Sequence, residues 1–235
     1  GEAGYWLFHT PYTAYEQNGF LAFLPYILLG KLASPPDVHI QLVVLFHIFR
    51  WLGGIICCIA TYDFISLFIK SISLRRLGLA IAIFGGGLGW LSLLGLSSLW
   101  KDGLPLEFYS PETFGFLSIL GLPHLAIARA VLLWGLASYL KPLEIKNKVG
   151  NIFINSGWWL ILGFFQPLTA LVGGVVILVH LAFQLAQPLF ERDVSLVKEK
   201  KSRFSIYFQR AIWTGIFALP LTLYNFLSFQ FRSEE

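Results

Sequence analysis

Two carboxylates of this 235-residue chain stand among residues suited to chemistry. Glu107 is followed by Phe108 and Tyr109, and Glu112 follows Pro111 just before an apolar run. Glu112 falls in the first turn of a helix expected from Phe114 onward, where the helix dipole stabilises a carboxylate. Capping accounts for Glu112 but not for Glu107 beside it. Together they have the type needed for a general base, or for metal ligands at the mouth of a cavity. His124 and Arg129 stand further along the same expected helix. An arginine within a membrane span costs about 2.5–3.5 kcal/mol on insertion scales and usually faces a bundle interior or cavity. Arg129 is therefore a candidate for holding an anionic group such as a lipid phosphate, with a snorkelling or ion-paired side chain as the plainer alternative. For Arg50 that plainer reading is a buried pair with Asp63. On a straight helix Glu112 and His124 diverge by about 120°, and His124 and Arg129 by about 140°. A shared, outward-opening cavity then requires a kink at Pro123, or Glu112 in the preceding loop.

The segment Gly4–Thr13 mixes aromatic rings with hydrogen-bonding groups, including His9 and Tyr12, and Glu16 follows it. Aromatic belts form at membrane interfaces with no catalytic purpose, yet an enzyme that handles sugars at a lipid surface also needs rings beside polar groups. His39, His47 and His180 have no ligand-like spacing. The run Gly85-Gly86-Gly87-Leu88-Gly89 lacks the Lys and Ser/Thr of a phosphate loop, and it lacks the third glycine of a dinucleotide fingerprint. Within an apolar helix it reads as a small-residue packing face. Cys57 and Cys58 are adjacent and form neither a disulfide framework nor a metal site.

The elements that must position these residues are membrane helices. The chain is 56% hydrophobic and only 13% charged, with a mean hydropathy of +0.69, against about a quarter charged in soluble domains. Twelve of the seventeen Lys and Arg lie in three runs, Lys70–Arg76, Lys141–Lys148 and Arg192–Arg210. Cytoplasmic loops collect Lys and Arg, which puts the three runs inside and residues 1–37 and 97–113 outside. The basic residues flank spans and leave no footprint for nucleic acid. Mostly apolar stretches of about 20 residues or more mark spans: Ile40–Ile69 interrupted by Arg50 and with Asp63 near its inner end, Leu77–Trp100, Phe114–Leu140 carrying His124 and Arg129, Val149–Phe190 as two helices with a turn at Gln166-Pro167, and Ala211–Phe231. Phe20–Leu32 is too short to cross and reads as an interfacial helix on the outer face. Phe204–Arg210, with the charges before it, reads as an amphipathic inner-surface helix or a solvated basic loop. The expectation is an all-α polytopic bundle, one membrane domain over 1–235 with an outer loop at 1–37 and about six transmembrane helices over 38–231. With no Met, the chain reads as an internal piece of a longer protein.

The order of these elements resembles bacterial polytopic membrane proteins of the C-type glycosyltransferase superfamily, relatives of protein mannosyltransferases and aminoarabinose transferases. The resemblance rests on Gly4-Tyr-Trp-Leu-Phe-His-Thr-Pro-Tyr-Thr13, Glu16, the short helix ending Leu28–Ala33, His47 and Arg50, the Gly85–Trp90 cluster, Pro111–Phe114 and Pro123-His124. It implies a transferase in the bacterial inner membrane that takes a sugar from a polyprenyl-phosphate lipid on the outer face. In the family an acidic residue of the first outer loop is the general base, and basic groups or a divalent cation hold the leaving phosphate. That acid would precede Gly1, with Glu16 and Glu112 as candidates within the chain and His9, Tyr12, Glu107, His124 and Arg129 as candidates for binding substrate. The rival expectation is a transporter or flippase for a lipid-linked substrate, with Arg50 and Arg129 lining its path; a third is a non-catalytic scaffold.

Overall fold

A computed structural model describes residues 6–8, 19, 21, 23–33, 35–87, 91, 94–100, 109–110, 115–141, 148–190 and 194–232. The architecture is all-α, with no strand element among the described residues. The helices are α1 (Leu24–Leu32), α2 (Val38–Ser66), α3 (Ile72–Phe84), α4 (Gly115–Gly121), α5 (Pro123–Leu140), α6 (Lys148–Phe165), α7 (Pro167–Ala186) and α8 (Val194–Arg232). Short 3₁₀ turns lie at Ser97–Trp100 and Gln187–Phe190. Among the described residues four helices are long and apolar enough to cross a membrane: α2, α5, α7 and the Lys200–Ser228 stretch of α8. This is the composition of an integral membrane protein. The chain divides into two compact units, Leu29–Ala130 and a second made of Gly1–Leu28 with Val131–Glu235, so the boundary falls within α5.

In the Leu29–Ala130 unit, α2 buries one narrow stripe, Gly53, Cys57, Ala60 and Thr61. Their spacing of four, three and one is the i, i+4, i+7, i+8 repeat of a helical face. Trp51, Ile55 and Ile59 on the rest of its surface are exposed, as suits a wall of lipid tails. The stripe needs its glycine. A side chain at Gly53 would lie 3.1 Å from the Pro123 carbonyl and 3.4 Å from the Ile127 side chain, so α2 and α5 cross there with backbones close.

The apolar run Leu77–Trp100 is not one spanning helix. The helix of this region, α3, has 13 residues, about 20 Å, short of a hydrocarbon core of about 30 Å. It ends because Gly85 turns extended, and Gly86 and Gly87 follow at φ 129° and 61°, a region that favours glycine. The described glycines of this motif are therefore a helix terminator and not a packing face within a span. Gly115 opens α4 against the end of α3, where an added Cβ would lie 2.8 Å from the Ala82 carbonyl, and Phe84 stacks on Phe116 with ring centroids 5.8 Å apart. The expected Phe114–Leu140 helix is likewise interrupted, at Leu122, because Pro123 has no N–H and starts a new helix.

In the other unit α6, α7 and α8 pack on one another, with the later part of α5 joining through Trp159. That indole is 1% exposed. One edge abuts Gly135 of α5, where an added Cβ would lie 3.2 Å from Nε1. The other abuts Gly173 of α7, where an added Cβ would come within 2.7 Å of the ring. Trp159 is thus a wedge seated between two glycines. Gly163 of α6 admits Leu221 of α8 in the same way, at 2.9 Å. The turn at Gln166-Pro167 is where the sequence places it, with Pro167 opening α7. The basic stretch from 194 onward is neither a loop nor a separate surface helix: it continues without a break into the apolar stretch as the 39-residue α8.

Candidate functional site

Of the sequence-derived site residues, His9, Tyr12, Glu16, Glu107 and Glu112 lie outside the described residues; His124 and Arg129 lie within them, both on α5. His124 is the second residue of that helix and half-buried; Arg129 is half-buried one and a half turns later. The five-residue spacing sets them about 7.5 Å apart along the axis and about 140° apart around it, so α5 does not present them on one face. The Arg129 charge is within electrostatic reach of the Cys57 thiol on the buried stripe of α2. Cys57 is fully buried, and the Thr61 hydroxyl donates to its carbonyl oxygen at 2.7 Å. One turn before Gly53 on α2 stands Arg50, whose Nε is buried with no hydrogen-bond partner. Arg50 and Asp63 are thirteen residues apart on one continuous helix, about 20 Å along its axis. They do not form the pair the sequence suggested.

Among the described residues no three His, Cys, Asp or Glu side chains converge as a metal set. The acidic candidates for metal ligation, Glu107 and Glu112, lie outside those residues.

A second polar layer, in the other unit, was not read from the sequence as a site. Arg210 of α8 is 6% exposed, and its Nη1 donates to the backbone carbonyl of Tyr139 and, at 2.6 Å, to that of Lys141. These are orphan carbonyls at the end of α5, and a cation is favoured there by the helix dipole. Beside them Tyr139 Oη lies 2.9 Å from His180 Nδ1, and His180 Nε2 lies 3.2 Å from the Gln184 side-chain nitrogen. Tyr207 of α8 closes the layer, its ring 5.3 Å from that of Tyr139 and 5.0 Å from that of His180. The signal that could have found this layer is the spacing Tyr207, Arg210, Thr214, which is one helical face.

Deeper in the same unit Asn155 donates to the Thr214 hydroxyl at 3.3 Å, tying α6 to α8. Asn155 Oδ1, the Ser156 hydroxyl and Trp159 Nε1 are buried without partners. Near the other end of α8 the Tyr224 hydroxyl accepts the Leu21 N–H at 3.1 Å, and Phe8, Phe23, Tyr26 and Ile27 line an open apolar hollow.

No protein family matches the chain in profile, and no curated protein or solved structure matches it significantly.

Proposed function

We propose that the chain is the membrane part of a transferase that moves a sugar from a polyprenyl-phosphate donor to an acceptor at the outer membrane face. The observation that carries this reading is Arg129, a cation held half-buried in the 18-residue apolar helix α5 and preceded by His124. The leaving group of such a transfer is a lipid phosphate whose charge grows as the sugar departs, and a fixed cation away from bulk water stabilises it most. In this scheme Glu112 or Glu16 takes the acceptor proton as general base. Glu107, His9, Tyr12 and His124 contribute polar and aromatic contacts to the sugar and its phosphate. The order of sequence segments, which resembles that of C-type glycosyltransferases, supports the same reading.

The test is sugar transfer from a labelled polyprenyl-phosphate donor by the full-length protein in liposomes. Arg129→Ala and Glu112→Gln are each expected to lower transfer at least tenfold, the scale of a lost charge-stabilising or acid–base contact, with expression unchanged. Undiminished transfer by both variants refutes the assignment. A flippase is the second reading, favoured by the buried, unpartnered Nε of Arg50. It predicts that the lipid changes leaflet in the same liposomes without loss of its sugar.

A further inference from the structure

Helix α2 ends at Ser66 and α3 begins at Ile72, and the two pack as a hairpin. An added Cβ at Gly78 of α3 would lie 3.5 Å from the Ile65 side chain of α2. The turn between them is closed by its own backbone. Leu67 donates to the Phe64 carbonyl, and Phe68 and Ile69 donate to that of Ile65, at 3.0–3.2 Å.

Arg75 ties α3 back onto this turn. Its Nε donates to the Ile69 carbonyl at 2.6 Å, which brings the guanidinium beside the peptide linking Ile69 to Lys70. Both Nη groups are left to other acceptors. Helix side chains lean toward the N-terminus, so Arg76 projects over the same first turn of α3. Lys70 and Arg76 are exposed and have no partner among the described residues. In the sequence no carboxylate stands between Asp63 and Asp102. Three cations therefore crowd the start of α3 within about 6 Å of helix rise, and a shared anion relieves their repulsion.

The neighbours of the turn set its level. Helix α2 is long and apolar enough to cross a membrane, and it stops at Ser66. Around the cations Phe68, Ile72, Leu74 and Leu77 are 54–66% exposed. Bare apolar side chains beside exposed cations suit the headgroup–acyl boundary and not open water.

We propose that the α2–α3 turn is a binding surface for the phosphate of an anionic phospholipid, held by Lys70, Arg75 and Arg76. The guanidinium fork matches phosphate oxygens, and the Ile69 carbonyl fixes that of Arg75 in advance. The occupant is a lipid and not an acidic protein, because the exposed apolar side chains of the same turn need acyl chains against them. The surface is independent of the glycosyltransferase reading, which places its chemistry on other residues.

The experiment uses the whole chain in phosphatidylcholine nanodiscs, with Cys57 and Cys58 replaced and a fluorophore on Ser73→Cys, an exposed position of the same turn of α3. Its quenching is titrated with phosphatidylglycerol or phosphatidylethanolamine carrying a nitroxide near the top of one acyl chain. Phosphatidylglycerol is expected to be recruited about 100-fold more strongly, the worth of three cations at a membrane surface. Millimolar inorganic phosphate should not displace it. Lys70→Ala with Arg76→Ala should lower the preference about 30-fold, the share of two cations. The charge-conserving pair Lys70→Arg and Arg76→Lys should keep it, as should Lys201→Ala, an exposed cation of the other unit. Equal recruitment of both lipids, displacement by free phosphate, or an unchanged preference in the double-alanine variant overturns the proposal. The last result would leave Lys70 and Arg76 with orientation of the chain as their only role.

Discussion

Arg210 shows how a single side chain can be fixed in place by backbone alone. Its guanidinium closes the end of α5 through two carbonyl oxygens, those of Tyr139 and Lys141. Hydrogen bonds to a charged group are worth about 1.5–3 kcal/mol each. Arg210→Ala is expected to lower the melting temperature of the purified chain by an amount equivalent to at least 2 kcal/mol, with Arg210→Lys recovering part of it because an ammonium can still donate to both oxygens. The Asn155–Thr214 contact is a smaller matter. Polar pairs within membrane bundles average about 0.6 kcal/mol, and a double-mutant cycle with Asn155→Ala and Thr214→Val should return a coupling of that size. Neither contact was legible in the sequence. Arg210 ends a basic run, and a cation near a span boundary ordinarily reports orientation, so its burial needs the neighbouring helix to be seen. Arg129 was legible because it is isolated in an apolar stretch.

At the scale of elements, close approach of helices depends on a few glycines. A methyl at Gly173 would collide with Leu132 and the Trp159 ring at 2.6 and 2.7 Å, whereas one at Gly174 meets nothing within 4 Å. Gly173→Ala should therefore destabilise the α5–α6–α7 packing by about 1–3 kcal/mol, the usual cost of overfilling a packed site. Gly174→Ala should be neutral or slightly stabilising, since alanine favours helix; both are read by thermal unfolding in one detergent. Equal effects at the two positions would mean that Trp159 yields. The α6–α7 turn was legible because a proline stands where two apolar stretches meet. The end of α3 was not, since hydropathy continues undiminished past Phe84 while the glycines that stop the helix are themselves weakly apolar. Segment polarity marks where a span is affordable, and backbone chemistry decides where the helix ends.

For the whole molecule, the three basic runs predict an orientation that labelling can test. In a chain with Cys57 and Cys58 replaced, single cysteines at positions 70, 146 and 201 should be shielded from an impermeant reagent applied outside cells, while those at 12 and 107 react. Opposite labelling at 70 and 107 requires the chain after Phe84 to complete the crossing that α3 alone is too short to make. External labelling at 146 would invert the arrangement and remove the outer-face site with it. The longest helix adds a mechanical property to this topology. Helix α8 has 39 residues, about 58 Å of rod, and Arg210 fixes it to the end of α5 some 24 Å from its start. About that fulcrum a rotation of 10° would carry the far end, roughly 33 Å away, through about 6 Å. Pro220, inside the same helix, supplies no backbone N–H and is where such a helix bends most readily. Because Thr214 and Leu221 also hold α8 against α6, such a swing could reach Tyr224 only by breaking those contacts or by bending the helix between them.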